Sequence, residues 1–232
     1  MKIAAGLGKN KNIVEAAADV DFEVILTESE EELIDMLLNK KVDSAVRGSL
    51  SSTKILNVLR KEHSQKIYRA SLLELKCHKF LLAPVGVDEV DNLQDKQKIV
   101  ELGAEFLLKI GIEPKIGVIS GTRLEDSGRS PKVDYLIEES LDLMERIKNK
   151  FFIKEYLLNE AIKDNANIIL APDGISGNLI FRSLVFLGAT KSYGAVSLGI
   201  DEIFIDTSRS QTVEGYKRAL ELSHYLAKLK HT

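Results

Sequence analysis

The chain has 232 residues, of which 44% are hydrophobic and 29% are charged, and its formal net charge is −3. This composition is typical of a globular protein, and the charge balance argues against nucleic-acid binding and against attraction to an anionic membrane. The single cysteine, Cys77, excludes an intramolecular disulfide, and no apolar run has the length of a secretion signal or a membrane-spanning helix. We therefore expect a cytoplasmic protein with no nucleic-acid or membrane partner.

Short apolar segments alternate with amphipathic segments along the chain, which predicts strands alternating with helices. The predicted strands span residues 2–5, 22–26, 42–46, 79–83, 115–119, 167–171, 193–198 and 202–205. Several are continuous apolar runs, as is usual in strands buried on both faces of a parallel sheet. The pattern predicts an α/β fold of mainly parallel sheets flanked by helices.

Helix signals fall between these strands. Ser29 and Glu32 have the spacing of a capping box, and Pro131 suits the first turn of a helix. Further helices are predicted over residues 92–110 and 213–229, and Gly111 ends the first of these. We predict two lobes, residues 1–112 with 200–232 and residues 113–199, with the chain crossing near residues 111–115.

The turns that follow the strands are the candidate ligand sites, because ligands of parallel sheets bind at the carboxyl ends of strands. The first turn, G-L-G-K-N at residues 6–10, has neither Walker A spacing nor a complete G-x-G-x-x-G, so it is interpreted as a structural turn. The turn at residues 46–54 offers Arg47, Gly48 and Ser49, which could bind an anion through guanidinium, amide and hydroxyl groups. The alternative is an ordinary helix cap with Arg47 in solvent.

The turn richest in hydrogen-bond donors reads S-G-T-R-L-E-D-S-G-R-S-P over residues 120–131. Its hydroxyls and its two arginines, Arg123 and Arg129, match the acceptors of a phosphate group. The alternative is a solvated loop in which Arg129 pairs with Asp126. The anion site is the favoured interpretation.

Two later turns offer similar groups. In residues 171–179, glycines permit a close approach to a ligand, and Asp173 and Asn178 supply polar groups. The alternative is a helix entry capped by Asp173 or Ser176. In residues 206–212, D-T-S-R-S-Q-T, hydroxyls flank Arg209 just before the last predicted helix, which suits phosphate.

The order of these motifs resembles the phosphate acetyltransferase/butyryltransferase family, whose fold is related to that of isocitrate and isopropylmalate dehydrogenases. The resemblance is carried by V-D-S-A-V-R-G-S-L-S-S-T-K at residues 42–54, G-I-E-P-K at 111–115, the 120–131 turn, P-D-G-I-S-G-N at 172–178, and D-T-S-R at 206–209. Size and the R-G-S and S-G-T-R variants are most similar to a methanogenesis marker subfamily labelled methyltransferase subunit X (MtxX). The resemblance implies a two-lobed dehydrogenase-like fold, an interdomain cleft and a homodimer.

In that family, the thiol of coenzyme A attacks an acyl phosphate, so coenzyme A is an expected co-substrate, and no bound cofactor or metal is expected. The resemblance implies a transition-state hydrogen bond from Ser208 and phosphate neutralisation by Arg209. Predicted contacts with the substrate or its phosphate come from Arg47, Gly48, Ser49, Ser120, Thr122, Arg123, Ser127, Gly128, Arg129, Asp173, Ser176, Gly177 and Asn178. We expect Arg123, Arg129 and Arg209 to share one pocket.

Two positions depart from the family pattern. The family's general base is an aspartate where Gly215 stands here, and the adjacent Glu214 is the predicted base, turned by about 100° around the helix. Arg47 replaces a small residue and is expected to add positive charge to the cleft. The leading hypothesis is an acyltransferase-like transferase acting on a phosphorylated anion. The alternative is a relative without acyl transfer, serving as a methyltransferase or as a binding or regulatory subunit in methanogen methyl-transfer metabolism.

Overall fold

The computed structural model describes residues 1–63, 66–90 and 92–231, which form two compact units. The first unit comprises Met1–Ile67 and Lys191–Thr232, and the second unit comprises Tyr68–Thr190. These limits differ from those of the predicted lobes, since the crossing predicted near residues 111–115 lies inside the second unit. The dehydrogenase-like arrangement of the predicted lobes stays a prediction.

The described residues form ten strands, and all eight predicted strands are among them with ends shifted by one or two residues. The strands are β1 (Lys2–Gly6), β2 (Glu23–Thr27), β3 (Ser44–Val46), β4 (Tyr68–Leu75), β5 (His78–Ala83), β6 (Lys115–Val118), β7 (Phe152–Glu155), β8 (Ile168–Leu170), β9 (Lys191–Leu198) and β10 (Phe204–Asp206). Sequence analysis did not predict β4 or β7.

The helices lie between these strands, as the alternating pattern predicts. They are α1 (Asn12–Ala18), α2 (Glu30–Leu38), α3 (Ser52–His63), α4 (Leu93–Lys109), α5 (Pro131–Ile147), α6 (Leu158–Lys163), α7 (Gly174–Arg182) and α8 (Val213–Lys230). A π-helical turn, Ser183–Leu187, continues α7. Within the described ranges, no helix is both long and apolar enough to cross a membrane.

Helix starts follow the capping signals in the sequence. The Ser29 side chain accepts a hydrogen bond from the Glu32 amide at the start of α2, and Ser130 caps α5 directly before Pro131. The capping box of α2 is incomplete, because the Glu32 carboxylate accepts from the hydroxyl of Thr27. Each cap satisfies an amide that the helix itself leaves without a partner.

In the first unit, the strands are ordered β2-β1-β3-β10-β9. The pairs β2–β1, β1–β3 and β3–β10 are parallel, and β9 runs antiparallel to β10. Ala5 lies opposite Val46, and Val46 lies opposite Ile205. The carboxyl ends of β1, β3 and β10 are therefore neighbours, and so are the turns that follow them.

In the second unit, the order is β4-β5-β8-β6-β7. The β4–β5 hairpin is antiparallel, and the remaining three pairs are parallel. Lys76 and Cys77 form the hairpin turn with φ values of 50° and 66°. The strands of each unit are mainly parallel and are flanked by helices, which confirms the predicted α/β class.

The core of the first unit packs helices against the buried strands. Leu33 of α2 and Leu59 of α3 are fully buried in one hydrophobic cluster with Phe204 of β10. Ile3 and Tyr216 are also fully buried. Burying one such side chain contributes about 1.5–3 kcal/mol before the entropy cost of ordering it. The sheet therefore holds the strand ends, and the turns beyond them, in fixed positions.

One glycine of the first unit is indispensable for this geometry. Gly48 has φ +61°, and a Cβ there would lie 1.8 Å from the carbonyl oxygen of Gly6. Gly111 has a similar φ of +78°, but a Cβ there would meet nothing within 4 Å. Alanine at Gly111 would therefore introduce only backbone strain, whereas alanine at Gly48 would introduce the same strain and a steric clash.

We expect Gly48→Ala to lower the free energy of unfolding by about 3 kcal/mol or more, because a clash adds to the roughly 1–2 kcal/mol of left-handed strain. Gly111→Ala should cost only the strain, about 1–2 kcal/mol. Urea unfolding followed by circular dichroism measures both. Equal losses in the two variants would contradict the crowding at Gly48.

Candidate functional site

The turns after β1, β3 and β10 meet around one cavity of the first unit. Its volume is about 630 Å³, within the roughly 300–1,000 Å³ of small-molecule sites. It is lined by Gly8, Lys9, Asn10, Glu30, Ser49, Leu50, Ser51 and Arg209. Ser49 and Arg209 are predicted site residues, whereas residues 8–10 belong to the turn that sequence analysis interpreted as structural.

A network of hydrogen bonds joins the three turns. The Ser49 hydroxyl donates to the carbonyl of Asn10 at 2.8 Å and accepts from the amide of Gly8 at 2.9 Å. The Asn10 side-chain amide donates to the carbonyls of Arg209 at 3.1 Å and Gln211 at 3.0 Å. The wall of the cavity is therefore built from segments far apart in the sequence.

Arg47 lies inside the first unit and is 6% exposed. Its guanidinium pairs with the carboxylate of Asp206 and donates to the carbonyl of Leu50 at 2.8 Å. The pair joins the end of β3 to the end of β10, which are adjacent parallel strands. Arg47 is thus engaged by the protein itself, in contrast to the prediction that it adds charge to a ligand cleft. The neighbouring Gly48 accepts at its carbonyl from the hydroxyl of Thr207.

Ser208 and Arg209 follow β10 in the same turn. The half-buried Ser208 accepts from the amide of Ser210 at 3.2 Å through its hydroxyl, and from the hydroxyl of Tyr216 at 3.1 Å through its carbonyl. Arg209 is exposed, lines the cavity, and pairs with no carboxylate among the described residues. Its charge is available to an anion.

The position of the family's general base is closed in this chain. Glu214 is exposed in the first turn of α8, and Gly215 is buried beside it. A Cβ at Gly215 would lie 2.2 Å from Cδ of Gln211, whose side chain is 4% exposed. The side chain of Gln211 therefore occupies the space that an aspartate at residue 215 would need.

The two arginines of the 120–131 turn are paired within the second unit. Arg123 donates to Glu160 at 2.7 Å, and this hydrogen bond lowers the pKa of the Glu160 carboxyl. Arg129 pairs with Asp126 at 2.9 Å. The second contact is the one that the alternative interpretation of this turn predicts. An anion would have to displace these carboxylates to reach the arginines.

The hydroxyls at the start of this turn also face a carboxylate. Ser120 donates to Glu155 at 2.5 Å and lies 3.2 Å from the hydroxyl of Thr122. Ser120 is buried, so its hydrogen bonds are made inside the unit. The predicted phosphate contacts of Ser120 and Thr122 stay predictions.

The end of the turn is held by Asp134 of α5. Its carboxylate accepts from the amide of Gly128 at 2.7 Å and from the hydroxyl of Ser127 at 3.4 Å. An acidic side chain thus occupies the donors that the sequence assigns to phosphate. Charge within this turn is balanced before any ligand binds.

The 171–179 turn is a capped helix entry, as its alternative interpretation predicts. Asp173 accepts from the amide of Ser176 at 2.7 Å at the start of α7. A Cβ at Gly177 would lie 1.8 Å from a backbone carbonyl of the loop after β5, and Asn178 donates to the carbonyl of Val85 at 3.2 Å. These residues dock α7 onto that loop.

The predicted arginines are divided between the units. Arg209 belongs to the first unit, and Arg123 and Arg129 belong to the second. Their convergence in one pocket stays a prediction. In residues 1–63, 66–90 and 92–231, no three His, Cys, Asp or Glu side chains cluster as metal ligands would.

Several curated proteins similar to this chain come from methanogens. The chain is 41% identical to a Methanocaldococcus jannaschii protein named as an uncharacterized methyltransferase, over 94% of this chain and 95% of that protein. It is 42% identical to a Methanosarcina barkeri protein provisionally named methyltransferase mtx subunit X, over 82% of this chain and 72% of that protein. No protein-family model matches the chain.

More distant similarity leads to acyltransferases. A phosphate acetyltransferase of Rickettsia typhi is 22% identical over 81% of this chain and 60% of that protein. A crystal structure of a branched-chain phosphotransacylase from Enterococcus faecalis superposes with a TM-score of 0.77 and 17% identity, covering 98% of this chain and 99% of that chain. The latter shows a shared fold.

We expect Gly215→Ala to destabilise the wild-type chain, because crowding by Gln211 costs about 1–3 kcal/mol against the roughly 1 kcal/mol that alanine gains in a helix. In a Gln211→Ala background, the same substitution should stabilise by about 0.5–1 kcal/mol. Urea unfolding of the four chains in this double-mutant cycle measures the reversal. Stabilisation in both backgrounds would mean that Gln211 does not close the position.

Proposed function

We propose that this chain, which belongs to the family of methanogen proteins named methyltransferase subunit X (MtxX), is a transferase that binds a phosphorylated or other anionic substrate. The proposed site is the cavity at the carboxyl ends of β1, β3 and β10. Relatives named as methyltransferases and as a phosphate acetyltransferase support transfer chemistry. Whether the transferred group is an acyl group distinguishes the two candidate functions.

The observation that carries the proposal is the free guanidinium of Arg209 beside a cavity of about 630 Å³. Ser49 and Ser51 line the same cavity, and α3 begins at Ser52. A planar guanidinium binds two oxygens of a phosphate, and helix amides favour an anion. The arginines of the second unit are already paired with carboxylates, which makes Arg209 the favoured anchor.

For acyl transfer, the proposed roles follow the order of the residues on the last turn and helix. Arg209 would neutralise the phosphate of an acyl phosphate, and Ser208 would orient the reacting carbonyl by a hydrogen bond. Glu214, exposed at the start of α8, would accept the proton of the coenzyme A thiol. Coenzyme A is the proposed co-substrate.

A second candidate is a relative that binds an anion without acyl transfer, as a methyltransferase or as a binding or regulatory subunit of methyl transfer. The observation that favours it is the closed position at Gly215, where Gln211 fills the space of the base. Glu214 lies one residue away, which is about 100° around the helix. Anion binding at Arg209 is common to both candidates.

We expect Arg209→Ala to weaken the binding of inorganic phosphate at least tenfold, because the substitution removes the guanidinium that would bind two phosphate oxygens. Isothermal titration calorimetry at constant ionic strength measures the affinity, since salt screens exposed charges. Arg146→Ala, an exposed arginine of α5, is the control for the loss of one charge and should bind as the wild type does. Unchanged binding in Arg209→Ala would overturn the proposed site.

The two candidates differ in a turnover assay with acetyl phosphate or butyryl phosphate. Acyl transfer predicts phosphate release that requires coenzyme A and that Glu214→Gln abolishes, because the base is removed. Phosphate release is measured colorimetrically, and phosphate binding by the variant confirms that the cavity is intact. Binding of phosphate without turnover of either acyl phosphate would dismiss acyl transfer and favour the second candidate.

A further inference from the structure

Two cations of the first unit share the cavity. Lys9 is exposed, lines the same cavity as Arg209, and forms no ion pair among the residues that the structure describes. This contrasts with the 120–131 turn, where Arg123 and Arg129 are each paired with a carboxylate. An unpaired lysine and an unpaired arginine at one cavity make it the more strongly anion-attracting of the two regions.

We propose that the turn after β1 is part of the binding site, with Lys9 as a second anion-binding cation and Asn10 as the residue that positions Arg209. The ligand would then carry two anionic groups, as a diphosphate or a longer polyphosphate moiety does. This inference rests on the proposed function at Arg209 and adds the class of substrate.

The size and lining of the cavity support a ligand larger than one phosphate. A volume of about 630 Å³ compares with roughly 30 Å³ for one water molecule, so a lone phosphate would leave most of the space to solvent. Leu50 is the apolar residue among the eight that line the cavity. Lys9 and Arg209 offer two cations to a multiply charged anion.

Glu30 contributes the negative charge of the lining, and its position favours one side of the cavity for the anion. Its carboxylate accepts from the amide of Ser51 at 3.1 Å and lies 3.6 Å from the ammonium of Lys54. The carboxylate thus occupies an amide at the start of α3. Anionic groups are directed away from Glu30 and toward Lys9 and Arg209.

Asn10 acts on Arg209 through the backbone. Its side-chain amide donates to the carbonyl of Arg209 at 3.1 Å, while its own carbonyl accepts from the Ser49 hydroxyl. A fixed backbone at Arg209 reduces the conformational entropy lost when the guanidinium binds a ligand. Asn12 provides a natural comparison, because its side chain donates to Gln211 of the same turn but has no such bond to Arg209.

The test of Lys9 compares inorganic phosphate with pyrophosphate and tripolyphosphate by calorimetry. Lys9→Gln should weaken at least one of the two longer anions fivefold or more, and by a larger factor than it weakens inorganic phosphate. Lys61→Gln, an exposed lysine of α3, removes the same charge and should bind as the wild type does. Arg209→Ala should weaken all three anions.

The outcomes separate this inference from the proposed function. If Lys9→Gln binds the longer anions like the wild type while Arg209→Ala loses phosphate, the inference is wrong and the proposed site stands. If the wild type binds none of the three anions, or if Arg209→Ala changes nothing, both are wrong.

The test of Asn10 is a double-mutant cycle with Arg209. Asn10→Ala should weaken phosphate binding about three- to tenfold, and Asn10→Ala with Arg209→Ala should be no weaker than Arg209→Ala alone, because Asn10 acts through that residue. Asn12→Ala should leave phosphate affinity within twofold of the wild type. The unfolding midpoint of each variant shows whether the chain is still folded. If the double variant loses phosphate affinity by the product of the two single losses, while all midpoints are equal, the positioning role is refuted.

Discussion

The close approach of two backbone turns underlies the candidate site. Gly48 carries no side chain where the carbonyl of Gly6 passes, so the turns after β1 and β3 can lie against each other. The parallel pairing of β3 with β10 then brings the turn of Arg209 to the same place. With these contacts in place, the side chains of Ser49 and Asn10 can join the turns by direct hydrogen bonds. The turns after β1, β3 and β10 therefore enclose one cavity together.

Charge pairing distinguishes regions that look alike in composition. The 120–131 turn has more arginines than the turn of Arg209 and as many hydroxyls, yet carboxylates within the second unit pair with both arginines and with Ser120. A paired guanidinium has less to gain from an anion than a free one, since binding must first break an existing interaction. The number of donors in a turn is therefore a weaker guide to function than the number left without a partner.

Much of the fold could be predicted from the sequence because its signals are local. Caps such as Ser29 and Ser130 act on amides three residues away, and apolar runs mark the parallel strands. Strand β4 escaped prediction because it contains Arg69, whose charge is buried against Glu89 of a later loop. The carboxylates that pair with Arg47 and Arg123 lie 159 and 37 residues away in the sequence, so no local sequence pattern predicts these ion pairs. The contacts of the 6–10 turn could not be predicted for the same reason, because its hydrogen bonds reach residues 49, 209 and 211.

The first unit is formed by two separate stretches of the sequence, which has a consequence for folding during synthesis. Strand β10 lies between β3 and β9 in the sheet, but in the sequence it follows the whole of the second unit. Synthesis proceeds from the N-terminus, so β1, β2 and β3 leave the ribosome long before the strand that completes their sheet. The second unit, Tyr68–Thr190, is one uninterrupted stretch of the chain. It can therefore fold before the C-terminal part of the first unit has been synthesised. Until β10 has been synthesised, the edge of β3 that pairs with it therefore has no partner strand, and an unpaired strand edge favours aggregation.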